Sequence, residues 1–360
     1  MRLIPSELGD KLPAAAQKRR PLLIAVKLAA AAVILFLLYR LDLIRFQDLG
    51  AALENPWPLA GAAMCILISL PLLCLRWFVL LRGLGVNITF ASALYIWCLS
   101  FFSNFFLPGG AGGDAVRLAC LAVWAKGQRA PAMLTVVVDR YLSLISLFTI
   151  ALVFIPWRYE QIMGSPVLQA LSLTALALFA GGAALLILAL FCSRALNRFL
   201  LKRKWQEKNL FKRTLVRLWE AVVVYRDRPG PLLACWGISI VSQIFTVTSV
   251  ILVGRAMGNQ VLQVQDYAFI VSFAALANVL PITPGGLGVG EAAFAQLSLL
   301  VHPAHSSQGY ASIFLGFRAV SFLVSILSTL TYIVIGKPKS TAAVNLQERG
   351  ENQSPPGDTG

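Results

Sequence analysis

Two stretches decide the reading of this chain: Pro108-Gly109-Gly110-Ala111-Gly112-Gly113 and Pro284-Gly285-Gly286-Leu287-Gly288-Val289-Gly290. Each interrupts an apolar run that would otherwise read as membrane helix. Each follows an Asn (Asn104, Asn278), ends on an acid (Asp114, Glu291) and precedes an Arg inside a further apolar run (Arg140, Arg318). The separations are nearly constant: 174 residues for the Asn pair, 176 for the Pro pair and 178 for the Arg pair. Broken apolar segments at matching places in two halves are the sequence mark of a transporter binding site.

Composition agrees. The 360 residues are 58% hydrophobic and 13% charged, where soluble domains carry about 25% charge. Several apolar runs reach the roughly 20 residues that cross a bilayer core. The net charge of +15 does not imply nucleic acid, because the basic residues sit in loops between apolar runs, as the positive-inside rule distributes them. Residues 194–228 alone hold eleven Lys or Arg against three acids. The six cysteines lie in or beside apolar segments without metal-ligand spacing. Neither a metal nor a cofactor is expected.

The apolar segments are 21–39, 57–81, 91–107, 114–125, 131–156, 166–192, 231–254, 266–283, 290–301 and 310–336. Loop charge places residues 1–20, the 194–228 stretch and the polar, disordered tail 337–360 on the cytoplasmic side. Loops 157–165 and 302–309 fall outside. The fold class predicted is an all-α polytopic membrane protein with two inverted-topology repeats, 21–156 and 166–336. Each repeat holds a Gly-broken helix pair. A 12-residue second arm spans only about 18 Å, so a re-entrant hairpin fits better than a full tilted span. Segment 194–228 reads as a basic amphipathic helix on inner-leaflet lipid, or as a solvated loop.

Arg140 and Arg318 lie about 12 Å into their helices. An Arg at such depth costs at least about 2.5 kcal/mol, so it faces a cavity, a partner or a substrate. Matched depth in both halves points to an anionic, phosphate-bearing substrate. An internal ion pair is the other reading, with Asp139 beside Arg140 and Glu291 facing Arg318. Gly109, Gly110, Gly285 and Gly286 would expose backbone N–H groups to an anion at the head of a short helix. Asn104 and Asn278 would bind substrate or satisfy the freed backbone. Asp114, Asp139 and Glu291 are candidates for proton coupling, and the first and last also suit helix N-termini. Arg76 reads as snorkelling toward the cytoplasm. His302 and His305 read as loop residues. No catalytic constellation is present, so the chain is not read as an enzyme.

At Ser103-Asn104-Phe105-Phe106-Leu107-Pro108-Gly109-Gly110 with Gly113-Asp114, at Asp139-Arg140, and at Pro284 through Glu291, the chain resembles the lysylphosphatidylglycerol synthase membrane region, or flippase-like family. The resemblance spans nearly all of residues 20–336. It implies a bacterial inner-membrane protein that moves a polar-headed lipid or lipid-linked glycan between leaflets. Full-length synthases carry a soluble aminoacyl-transferase domain for which this sequence has no room, so that activity is not implied. The alternatives are a membrane transferase acting on a lipid phosphate, and a scaffold that recruits pathway enzymes.

Overall fold

The computed structural model describes residues 32–41, 43–44, 46–107, 112–124, 128–202, 230–279, 282–303 and 309–335. The described elements are helices: α1 (32–40), α2 (Phe46–Glu54), α3 (Pro56–Gly83), α4 (Phe90–Ser103), α5 (Gly112–Trp124), α6 (Arg129–Phe154), α7 (Tyr159–Met163), α8 (Pro166–Lys202), α9 (Gly230–Ala256), α10 (Val264–Ala277), α11 (Val289–Val301) and α12 (Tyr310–Ile335). The segments expected from residues 1–20, 203–228 and 337–360 lie outside the described residues. Residues 194–202 continue α8.

Five helices are long and apolar enough to cross a membrane, within α3, α6, α8, α9 and α12. The four arms α4, α5, α10 and α11 have 13 or 14 residues, about 20 Å of helix, short of a bilayer core. They pack as two hairpins, α4 on α5 and α10 on α11.

The most extensive helix contact joins α3 to α9. Small residues allow it, as in membrane helix pairs generally. Ala62 and Ser249 are fully buried, and the Ser249 hydroxyl donates to the Ala62 carbonyl at 3.1 Å. Farther along α3, Arg76 meets Ser239 and its carbonyl accepts from Cys235. As the α3 position rises from 62 to 76 its α9 partner falls from 249 to 239, so the two helices run antiparallel.

Other contacts come in matched pairs. Helix α6 packs on α9 and α10, while α12 packs on α3 and α4. The ends of α3 and α9 also share a hydrogen-bond pattern. Gly85 N–H bonds Arg82 O and Val86 N–H bonds Leu81 O; Gly258 N–H bonds Arg255 O and Asn259 N–H bonds Gly254 O. Both glycines have positive φ, 71° and 74°, the left-handed residue that closes a helix end this way.

The α3–α9 seam has no spare volume at its centre. Ala62→Leu should therefore cost about 1–3 kcal/mol through overpacking. A clear fall in the melting temperature of detergent-purified protein is the expected readout, and unchanged melting would show the seam to be loose.

Candidate functional site

In the second hairpin the break is built by one arginine. Gly285, Gly286 and Gly288 all have positive φ, and the Gly285 and Gly286 carbonyls face Arg318 on α12. Arg318 Nη1 donates to Gly285 O at 2.8 Å, and Nη2 to Asn278 Oδ1 at 3.0 Å and Gly286 O at 3.3 Å. Its Nε lies 3.0 Å from Glu291 Oε1. The other Glu291 oxygen caps α11 by accepting from Gly288 N–H at 2.8 Å. Glu291 is fully buried and the Arg318 side chain is 12% exposed. Asn278 lies over Gly290 so closely that a Cβ there would overlap its amide.

The first hairpin starts alike. Asn104 Oδ1 accepts from Gly113 N–H at 2.7 Å. A Cβ on Gly113 would lie 2.5 Å from Ser100 O and 2.8 Å from Asn104 Nδ2. Arg140 pairs with Asp114, as Arg318 pairs with Glu291. Gly109 and Gly110 lie outside the described residues. The two breaks touch each other: Gly285 N–H donates to Leu107 O at 3.0 Å. A Cβ on Gly285 would meet Asn104 O at 2.9 Å.

From there the halves diverge. Asp114 also binds Arg117 one helical turn on. Arg117 Nη1 donates to Asp139 Oδ2 at 2.9 Å. Asp139 Oδ1 accepts from Arg76 Nε at 2.7 Å, and Arg76 Nη1 reaches Ser239 on α9 at 2.8 Å. The Arg117 guanidinium sits 4.3 Å from the Trp97 ring centre and 5.5 Å from that of Trp77, within cation–π range. Five charges thus form one chain: Arg76, Asp139, Arg117, Asp114, Arg140. Three are positive and two negative, leaving one net positive charge.

A cavity of about 170 Å³ opens onto this chain, lined by Leu73, Arg76, Trp97, Ser100, Phe101, Asn104, Arg117, Asp139, Arg140 and Ser143. The Arg140 side chain is 35% exposed; those of Arg76 and Arg117 are 2% and 5%. Arg140 and Asn104 therefore reach the cavity, with Asp139 and with Asp114 one bond behind. Asn278, Gly285, Gly286, Glu291 and Arg318 assemble separately at the second break.

Two expectations are corrected. Arg76 does not snorkel; it is 2% exposed and held by Asp139, a partner 63 residues away that local sequence cannot reveal. His302 is not a loop bystander. It caps the end of α11 with Nε2 3.0 Å from Asp266 Oδ2, and fully buried Asp266 also pairs with Arg158 Nε at 2.7 Å. Asp139 and Arg140 are neighbours in sequence but pair elsewhere. Arg117 was absent from the site read from sequence. Its signal was the Asp114–Arg117 spacing of three inside an apolar arm, which places opposite charges on one helix face. No group of His, Cys, Asp or Glu among the described residues has the form of a metal site.

Truncating one member of a buried charge pair costs about 3–5 kcal/mol, whereas exposed pairs contribute about 0–1. Asp139→Asn should therefore lower thermal stability far more than Arg140→Gln. Equal losses in the two melting curves would contradict the assigned burial.

Comparison with known proteins bears on the same residues. A 27% identical relative, over 67% of this chain and 76% of its own length, is a UPF0104 membrane protein of Archaeoglobus fulgidus. The model of the lysylphosphatidylglycerol synthase TM region matches residues 22–328, a span that holds both glycine breaks, both hairpins and all five linked charges. This multi-pass membrane protein belongs to the lysylphosphatidylglycerol synthase TM region family.

Proposed function

We propose that the chain moves an anionic, phosphate-headed lipid between the leaflets of its membrane. The observation that carries this reading is the excess of cationic charge around a cavity among membrane helices. Two buried guanidiniums and a third, partly exposed one share two carboxylates here, an arrangement that a further anion would stabilise. Guanidiniums match the fork of a phosphate. Acyl chains would stay in lipid while the headgroup enters between α3, α4, α5 and α6. Family membership supports a lipid-handling role in coarse terms, and the lipid itself is a matter for experiment.

In this reading Arg140 is the contact that exchanges. It has the most exposed side chain of the three arginines, and Asp114 pairs with it at the cavity edge. A headgroup phosphate competes with Asp114 for Arg140, while Arg117 and Arg76 stay fixed by Asp139. That makes Asp114 the carboxylate that substrate displaces, and the candidate for coupling. Arg318 serves a different end: its donors already hold Glu291, Asn278 and two tip carbonyls. We further infer that the halves are inverted repeats with re-entrant hairpins. The antiparallel α3 and α9, the matched helix contacts and the short arms support this. The basic 194–228 segment and both termini then face the cytoplasm, the segment meeting inner-leaflet lipid.

Purified protein in liposomes containing labelled phosphatidylglycerol provides the test. Leaflet exchange should be protein-dependent. Arg117→Gln and Arg140→Gln should each slow it at least about tenfold, equivalent to about 1.4 kcal/mol. Exchange that survives both substitutions in folded protein would remove the cavity from the pathway, and a chemically altered lipid would point to transfer chemistry instead.

A further inference from the structure

A second cavity, of about 610 Å³, lies where α9 ends and α10 begins, and shares no lining residue with the first. Arg255, Asn259, Gln263 and Tyr267 are among the residues that line it. The hydrogen-bonding capacity left to these four groups identifies a ligand class. Asn259 Oδ1 already accepts from Leu262 N–H at 3.1 Å. Gln263 Oε1 already accepts from Arg158 Nη2 at 3.1 Å and from Gln265 Nε2 at 2.8 Å. Both amides therefore have their oxygens engaged and their NH₂ groups left to donate.

Arg255 donates only, and its side chain is exposed. Tyr267 is 2% exposed, yet its hydroxyl has no hydrogen-bond partner among the described residues. That hydroxyl lies against Gly254, so close that any Cβ there would overlap it. An unpartnered buried hydroxyl costs about 1–3 kcal/mol, a cost that a ligand accepting from Tyr267 at the cavity wall would relieve. The adjacent carboxylate, Asp266, does not turn an anion away. It is fully buried, paired with Arg158 at 2.7 Å and held by His302 at 3.0 Å.

We propose that this cavity is a second phosphate site, independent of the first and of whether lipid crosses. Its donors suit the phosphate of a lipid headgroup or free phosphate, and its volume falls within the range of ligand pockets. Ser239 touches the first site and Arg255 the second. They are 16 residues apart on α9, about 24 Å along the helix. The molecule thus has two anion stations, one among the helices and one at the helix ends.

Native mass spectrometry of the full chain from phosphatidylcholine micelles tests this in two arms, with phosphatidylglycerol and with inorganic phosphate as probes. In the lipid arm the wild type should retain two phosphatidylglycerols. Arg117→Gln should lose one, and Arg255→Gln or Tyr267→Phe the other, with affinity down at least about tenfold. Tyr267→Phe removes an unpartnered oxygen, so its melting temperature should hold or rise; the accompanying fall in binding is the readout that a merely structural tyrosine would not give. Binding of inorganic phosphate alone, lost in Arg255→Gln, keeps the site and assigns it to the free ion. Two lipids retained in both Arg255→Gln and Tyr267→Phe overturn the second site. So does a single lipid in the wild type that only Arg117→Gln removes, without phosphate binding, and that result leaves the transport reading intact. No anion bound in either arm overturns both.

Discussion

Asp139 is the residue on which the first half depends. It is 1% exposed and lies between two guanidiniums, Arg76 at 2.7 Å and Arg117 at 2.9 Å. Without it, two like charges would share a low-dielectric site. With it, α3, α5 and α6 are tied at one point, and Ser239 brings α9 to the same point. Trp77 and Trp97, tilted 45° to one another, hold the Arg117 guanidinium further. A buried ion cluster adds little net stability compared with apolar packing. Its presence in a membrane is better explained by what it holds open, a small cavity with cationic walls.

The same frame carries different chemistry in its two halves. At the offsets of the matched residues nearest each, 173 for Gly85 and Gly258, 177 for Asp114 and Glu291 and 178 for Arg140 and Arg318, positions 76, 117 and 139 correspond to Ser249, Phe294 and Phe317. Where one half has three linked charges, the other has a hydroxyl and two aromatic rings. Phe294 and Phe317 each pack on Phe314, with ring centres 5.5 and 5.7 Å apart. What both halves keep is the Asn, the Gly beneath it, the acid and the Arg. These make the break itself. Shared residues therefore build the turn, and the unshared ones equip a cavity.

This division explains what the sequence discloses. A turn of glycines inside an apolar run is local, so the breaks, the paired Asn and Arg, and the all-helical membrane class are legible along the chain. The matched helix ends at Gly85 and Gly258 carry the same kind of signal, at a spacing of 173. The charge cluster is not local. Arg76 and Asp139 lie 63 residues apart, and nothing near Arg76 marks it as paired. His302 and Asp266 likewise meet only because α10 and α11 fold back as a hairpin. Arg140 and Arg318 each pair with the acid of their own hairpin, but the rest of their surroundings is set by neighbours that only packing supplies.

One peptide unit links the halves. Gly285 N–H bonds Leu107 O in the first break, while Gly285 O accepts from Arg318 in the second. Gly285 has φ of 59° and no room for a Cβ against Asn104, so no other residue fits without moving one break. Asn104 also lines the first cavity. A displacement of the second break is thus felt at Asn104 through direct backbone contact. That contact gives the second break a mechanical role, since Arg318 holds the Gly285 carbonyl and Gly285 packs on Asn104 of the first break.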